Sequence, residues 1–149
     1  MADKLSFRVP LFERLSDDAL GKPEAMPLRR YDKAAALASV CSELTRLLNT
    51  RRSSTPWLEG YSVLDYGIAD WSSFKTGFVE DRRHFIRDIK QAISVFEARL
   101  INIQIEIFST DGRSAALSIY AKLRGTQDER VVLCIKQTED GISVEEVDM

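Results

Sequence analysis

The spacing of the apolar residues changes near residue 100, and this change constrains the fold more than any other feature of the sequence. Before it, two segments repeat apolar residues about every 3.6 positions, which is typical of amphipathic helices. After it, apolar and polar residues alternate, which is typical of strands with one buried face. Such a chain is expected to form an α+β domain, with two helices on one face of an antiparallel four-stranded meander.

Two main helices are predicted. The first covers residues 33–49, with Asp32 before it as an N-cap that accepts hydrogen bonds from free amides. Its apolar face consists of Leu37, Val40, Cys41, Leu44, Leu47 and Leu48, and its polar face of Lys33, Ser39, Glu43 and Arg46. The second covers residues 80–96, and its apolar stripe consists of Phe85, Ile86, Ile89, Ile93 and Phe96.

Four strands are predicted at the end of the chain. They are expected at residues 100–108, 114–124, 130–137 and 142–147, joined by hairpin turns. In the first strand, the apolar residues Ile101, Ile103, Ile105 and Ile107 are expected to share one face. The last strand, with Ile142 and Val144, is expected at the sheet edge, where free backbone groups offer a docking line for a foreign strand. An edge protected by the protein itself fits the same pattern.

Two segments have no regular period. Residues 1–31 contain one apolar cluster, at 11–15, and are predicted to form an extended arm before a single domain at 32–149. Residues 51–79 are predicted to form a long central loop that is rich in apolar and aromatic side chains. Because loops of this length are uncommon in compact domains, we expect it to pack on a partner or on the protein's own core.

Composition argues against several classes of protein. Among 149 residues, 21 Lys and Arg oppose 23 Asp and Glu, a formal net charge of -2, so the basic excess of a nucleic-acid binder is missing. No apolar run reaches the roughly 20 residues of a membrane helix, and the polar N-terminus predicts no signal peptide. Cys41, Cys134 and His84 are too few for a zinc site, and the cysteines are expected to be buried, reduced thiols.

Catalytic motifs are scarce. The sequence has no phosphate-binding glycine loop and no nucleophile elbow, and we expect no catalytic residue, cofactor or metal. Glu97 is the one acid flanked by apolar residues at the predicted helix–strand junction, and Arg99 is its expected partner. An arginine favours the ionised carboxylate, which is the wrong state for a general acid. Glycoside cleavage by Glu97 with Asp65 or Asp70 is the alternative.

Four motifs, in order along the chain, resemble one family. They are Leu11-Phe12-Glu13-Arg14-Leu15, Leu47-Leu48-Asn49-Thr50-Arg51, Tyr66-Gly67-Ile68-Ala69-Asp70 and Phe96-Glu97-Ala98-Arg99-Leu100. The chain resembles the TssE family, the baseplate wedge subunit of the type VI secretion system. That family is similar to the wedge protein that initiates the sheath of contractile phage tails. The "lysozyme-like" label sometimes given to it corresponds to the alternative of a peptidoglycan hydrolase.

The resemblance implies a structural protein of the cytoplasmic baseplate, docked at the cytoplasmic face of the inner membrane. Its implied partners are other wedge subunits and sheath subunits, whose strands join the sheet, with no nucleic acid and no membrane insertion. The family's Glu-Pro-Arg signature, which is thought to hold the wedge core together, falls on Glu97, Ala98 and Arg99. Alanine replaces proline there, and Ala69 also stands where proline is common.

The expected partner-binding residues combine these motifs with the edge strand. They are Leu11, Phe12, Leu15, Arg51, Tyr66, Gly67, Asp70, Glu97, Arg99, Ile142 and Val144.

Overall fold

The structure is a computed structural model that describes residues 7–8, 10, 30–53, 62–70, 79–110, 114–126, 130–138 and 141–147. Leu11, Phe12 and Leu15 lie outside the described residues, as does much of the predicted central loop. The chain divides into two compact units, Met1–Ser39 and Val40–Met149. The predicted domain boundary after residue 31 stays a prediction.

The first unit contains two short strands and the beginning of a helix. Strands β1 (Phe7–Arg8) and β2 (Arg30–Tyr31) pair antiparallel. Helix α1 (Lys33–Asn49) begins here and ends in the second unit. The Asp32 carboxylate accepts a hydrogen bond from the Ala35 amide at 2.8 Å, which confirms the predicted N-cap.

Both helices closely match the predicted ranges. Helix α1 spans Lys33–Asn49, as predicted, and α2 spans Val79–Phe96, which begins one residue before the predicted start. The predicted apolar stripes are buried except for Cys41 in α1 and Ile86 and Phe96 in α2, which are half-buried. Ser39, predicted on the polar face, is buried, because the small side chains of Ala36 and Ser39 widen the buried stripe on that side. Cys41 is half-buried.

The second unit contains a four-stranded antiparallel sheet in the order β3-β4-β5-β6. Its strands are β3 (Leu100–Thr110), β4 (Ser114–Leu123), β5 (Arg130–Thr138) and β6 (Gly141–Glu146). One face of β4, β5 and β6 is buried, through Leu117, Ile119, Ala121, Leu123, Val131, Leu133, Ile135 and Val144. This arrangement confirms the predicted α+β class and the meander.

The predicted alternation is wrong at the start of β3. Ile101 lies opposite Lys122 on the other face of the sheet, whereas Leu100 is buried. The register shifts around Asn102, which has a φ of 56°, and Ile103 returns to the buried face. A β-bulge of this kind adds one residue and reverses the alternation before it. Isoleucine at every second position hides the bulge from a period count.

Candidate partner-binding site

An ion pair closes the turn between α2 and β3. The Arg99 guanidinium donates from Nε to Glu97 Oε1 at 2.7 Å and from Nη2 to Oε2 at 2.6 Å. The Arg99 amide donates to the same Oε1 at 3.1 Å. The Glu97 side chain is 3% exposed and that of Arg99 is 22% exposed. This two-bond fork is a strong geometry for an arginine and a carboxylate, and it satisfies a buried charge.

The backbone of the same turn is held from the end of β4. The Arg124 amide donates to the Arg99 carbonyl at 2.7 Å, and Arg124 Nε donates to the Ala98 carbonyl at 2.9 Å. Proline would restrict φ at position 98, which alanine does not. Here the two bonds from Arg124 restrain the turn instead.

Tyr66 connects the central loop to both helices. Its hydroxyl donates to Glu43 Oε1 on α1 at 2.9 Å. Its ring meets that of Phe96 on α2 edge to face, with centroids 5.2 Å apart. Burial, together with the Glu43 carboxylate, raises the pKa of the Tyr66 hydroxyl. Tyr66 therefore bonds within its own chain.

The residues after Tyr66 pair with the end of α1. The Ile68 amide donates to the Thr50 carbonyl at 2.9 Å, and the Arg52 amide donates to the Ile68 carbonyl at 2.7 Å, which makes a short parallel bridge. Gly67, with a φ of 114°, lies so close to the Thr50 carbonyl that no Cβ fits there.

Beyond this bridge, Arg51 Nη1 reaches Asp70 Oδ2 at 3.4 Å on the surface. The structure thus brings four predicted site residues, Arg51, Tyr66, Gly67 and Asp70, close to one bridge between two segments of the same chain.

Sequence reasoning missed Asp88, which joins three segments. Its Oδ1 accepts from Arg52 Nη2 at 2.7 Å, and its Oδ2 accepts from the Ala69 amide at 2.8 Å. The signal was present in α2, because Asp88 directly precedes the buried Ile89. A carboxylate beside a buried stripe needs a partner, and Arg52 supplies it.

The three acids of the hydrolase alternative each have another role. The buried Asp65 closes a short 3₁₀ helix, Val63–Asp65, by accepting from the amide and the hydroxyl of Ser62. Asp70 pairs with Arg51, and Glu97 with Arg99. Within the described segments, no hydrogen bond joins two of these acids.

The edge of β6 at Ile142 is occupied by Asn49, the last residue of α1. Asn49 Nδ2 donates to the Ile142 carbonyl at 2.7 Å, and the Ile142 amide donates to Asn49 Oδ1 at 2.9 Å. The amide thus pairs as one residue of a fifth strand would. Gly141 has a φ of 128°, and a Cβ there would lie 2.6 Å from Asn49 Oδ1. Glycine is therefore required beside this contact.

Helix α1 also lies near the other end of β6. The Glu146 backbone is within hydrogen-bond reach of the Cys41 thiol, and burial and the Glu146 carboxylate raise the pKa of that thiol. Val144, between the two contacts, is buried. Cys41 and Cys134 are free but half-buried, so the expectation of buried thiols is wrong.

The opposite edge, formed by β3, is more open. In the part of the chain that the structure describes, no backbone–backbone hydrogen bond besides those to β4 is found for residues 104–110. Ile105 and Ile107 are half-buried, although their β4 partners Ile119 and Leu117 are 0% and 4% exposed. Phe108 is 48% exposed.

Taken together, these features define a small α+β protein in which the Glu97–Arg99 and Arg52–Asp88 ion pairs hold its own segments together and whose sheet has a more closed edge at β6 and a more open edge at β3. A family model described as baseplate wedge protein gp25 matches residues 34–128, from α1 through β4. The chain therefore belongs to the baseplate wedge protein gp25 family, which includes TssE and has a structural role in phage tail-like baseplates. A comparison with curated proteins finds no match.

None of the helices described is both long and apolar enough to cross a membrane.

Proposed function

We propose that this protein is the baseplate wedge subunit of a type VI secretion system and connects the wedge complex to the contractile sheath. It acts in the cytoplasm, in a baseplate docked at the inner membrane, and extends its sheet with strands of sheath subunits. The observation that carries the proposal is the family match through α1–β4. An antiparallel sheet with an open edge supports it, because such an edge offers backbone groups in register to another chain.

Contacts with other wedge subunits are proposed at the surface around the bridge between Arg51 and Ile68. Arg51 and Asp70 have side chains 73% and 53% exposed, and the nearby Val63 and Leu64 are also exposed. Arg99 has one partly exposed side next to the buried Glu97. The Leu11, Phe12 and Leu15 cluster is proposed as a further contact.

The test uses the bacterium that encodes the chain, with its gene deleted and a fluorescent sheath subunit expressed. We expect no extended sheaths and no secretion, and recovery of both when the wild-type gene returns. Matched variants Arg51→Ala and Arg46→Ala, both at surface arginines on or next to α1, separate the proposed partner surface from a general loss of charge. Normal sheaths without the gene would overturn the proposal.

A second assay addresses the hydrolase alternative. We expect purified protein to leave a peptidoglycan suspension turbid at any concentration tested. Clearing that disappears in Glu97→Gln, while circular dichroism shows that this variant stays folded without its ion pair to Arg99, would contradict the structural role.

A further inference from the structure

We propose that the incoming strand joins the sheet at β3, along Gln104–Thr110, and not at β6, where the sequence alone placed it. This inference rests on the proposed function, since it assumes that a partner strand is added. It names which edge accepts the strand and which residues meet it.

The edge of β6 is closed by the protein itself. Both backbone groups of Ile142 already bond the Asn49 side chain, and the far end of the strand lies near Cys41. A strand arriving there would have to displace the Asn49 amide and the last turns of α1. Because Asn49 already bonds the Ile142 groups, a strand at this edge would exchange existing hydrogen bonds for new ones and gain less than at an edge whose groups have no such partner.

At the edge formed by β3, apolar side chains on the core-facing side of the sheet are only partly covered. Ile105 and Ile107 continue the apolar rows of Ile119 and Leu117, yet they keep part of their surface exposed. A neighbouring strand would cover this remainder, because side chains of adjacent strands lie in contact on one face. On this face of β6, Val144 is already buried and Ile142 alone is a half-buried apolar residue, beside the Asn49 contact.

The bulge limits where the new strand can pair. Around Asn102 the register is irregular, and bulges disturb the regular spacing of backbone groups at an edge. From Gln104 to Thr110 the pairing with β4 is regular. The accepting segment is therefore the distal part of β3. This segment lies inside the range matched by the family model, whereas β6 lies outside it.

The geometry also defines the chemistry of the occupant. It is an extended segment of another protein with apolar residues at alternate positions, which face the row of Ile105 and Ile107. On the other face, Glu106 is exposed beside Gln104 and Phe108. A lysine or arginine opposite Glu106 completes the pairing, because opposite charges across strands are favourable. In the proposed assembly, this segment belongs to the sheath subunit.

The experiment places a photo-crosslinking p-benzoylphenylalanine at Phe108 on β3 or at Glu145 on β6. Both residues are exposed in the structure, which makes them matched sites on the two edge strands. The full chain is expressed in the deletion strain, irradiated in cells, and its adducts are identified by mass spectrometry. We expect the Phe108 variant to crosslink to the sheath subunit of the same gene cluster, and the Glu145 variant to give only background.

Charge reversal gives a second measurement that needs no crosslink. Glu106→Lys is expected to lose sheath assembly, while Glu145→Lys is expected to keep it, and thermal unfolding verifies that both variants fold. Sheath adducts from Glu145 alone would overturn the choice of edge and leave the proposed function intact. No sheath adduct from either site, with the chain still retained in baseplates, would overturn strand addition itself. An adduct with a second copy of this chain at Phe108 would also overturn the proposal.

Discussion

The two edges of the sheet differ in how they end. Strand β6 is six residues long, and a helix of the same chain occupies it through an asparagine amide. Strand β3 is eleven residues long, starts with a bulge and leaves two isoleucines partly exposed. A strand that is last in the sequence is therefore not the available one. What decides availability is which backbone groups the rest of the chain already satisfies.

The largest effect is expected at the turn that starts β3. Arg99→Ala leaves the Glu97 carboxylate buried without its guanidinium, and breaking a buried pair in this way costs about 3 kcal/mol. Urea unfolding followed by circular dichroism measures the loss. The double variant Glu97→Gln with Arg99→Ala removes the unpaired charge and is expected to recover part of the lost stability. A loss no larger than that of an exposed ion pair, about 0.5 kcal/mol, would contradict a structural role for the fork.

The next largest effect is expected at Gly141, beside the closed edge. Gly141→Ala forces a side chain into positive φ and toward Asn49 Oδ1, and we expect a cost of about 2 kcal/mol. Adding Asn49→Ala should relieve the steric part and keep the backbone strain. The free energy of unfolding is measured for both single variants and for the double variant. If the two losses of stability simply add, the methyl group that Gly141→Ala introduces does not meet Asn49, which would contradict the predicted contact.

A smaller effect is expected when the amide itself is removed. Asn49→Ala deletes the two hydrogen bonds to Ile142 at a partly solvated edge and a third to the Thr45 carbonyl, which corresponds to about 1 kcal/mol. Hydrogen exchange should show faster exchange of the Ile142 amide, with the amides of β3 unchanged. Equal protection of Ile142 in both proteins would mean that Asn49 does not close this edge.

The smallest effect concerns the thiol of Cys41. Burial and the carboxylates of Glu146 and Glu145 raise its pKa above that of an ordinary thiol, so the reactive thiolate forms only at higher pH. In a Cys134→Ser background, the iodoacetamide rate should rise at lower pH after Glu146→Gln. Glu106→Gln, on the other edge strand, is the control and should leave the profile in place. An identical pH profile of the alkylation rate in all three proteins would contradict the proximity of Cys41 on α1 to Glu146 on β6.

Local patterns predicted the elements well, because helix and strand periods depend on neighbours in sequence. The helix ranges, the Asp32 cap and the four-strand meander were all readable in this way. The bulge at Asn102 escaped, since isoleucines on both sides of it continue one period.

The contacts that decide the site are different in kind. Asn49 and Ile142 are 93 residues apart, and nothing in either local sequence marks them as partners. The same holds for Arg52 and Asp88, although the position of Asp88 beside a buried stripe demands some cation. Motifs located the loop and junction residues, and the fold was needed to find what they bond.

The central claim is that a partner strand lengthens the sheet at β3. Hydrogen exchange with mass spectrometry, on the free chain and on the chain within assembled baseplate and sheath, tests it most directly. The account predicts that assembly slows exchange in peptides covering 104–110 and leaves those covering 141–147 as they were. Slower exchange confined to 141–147 would contradict it.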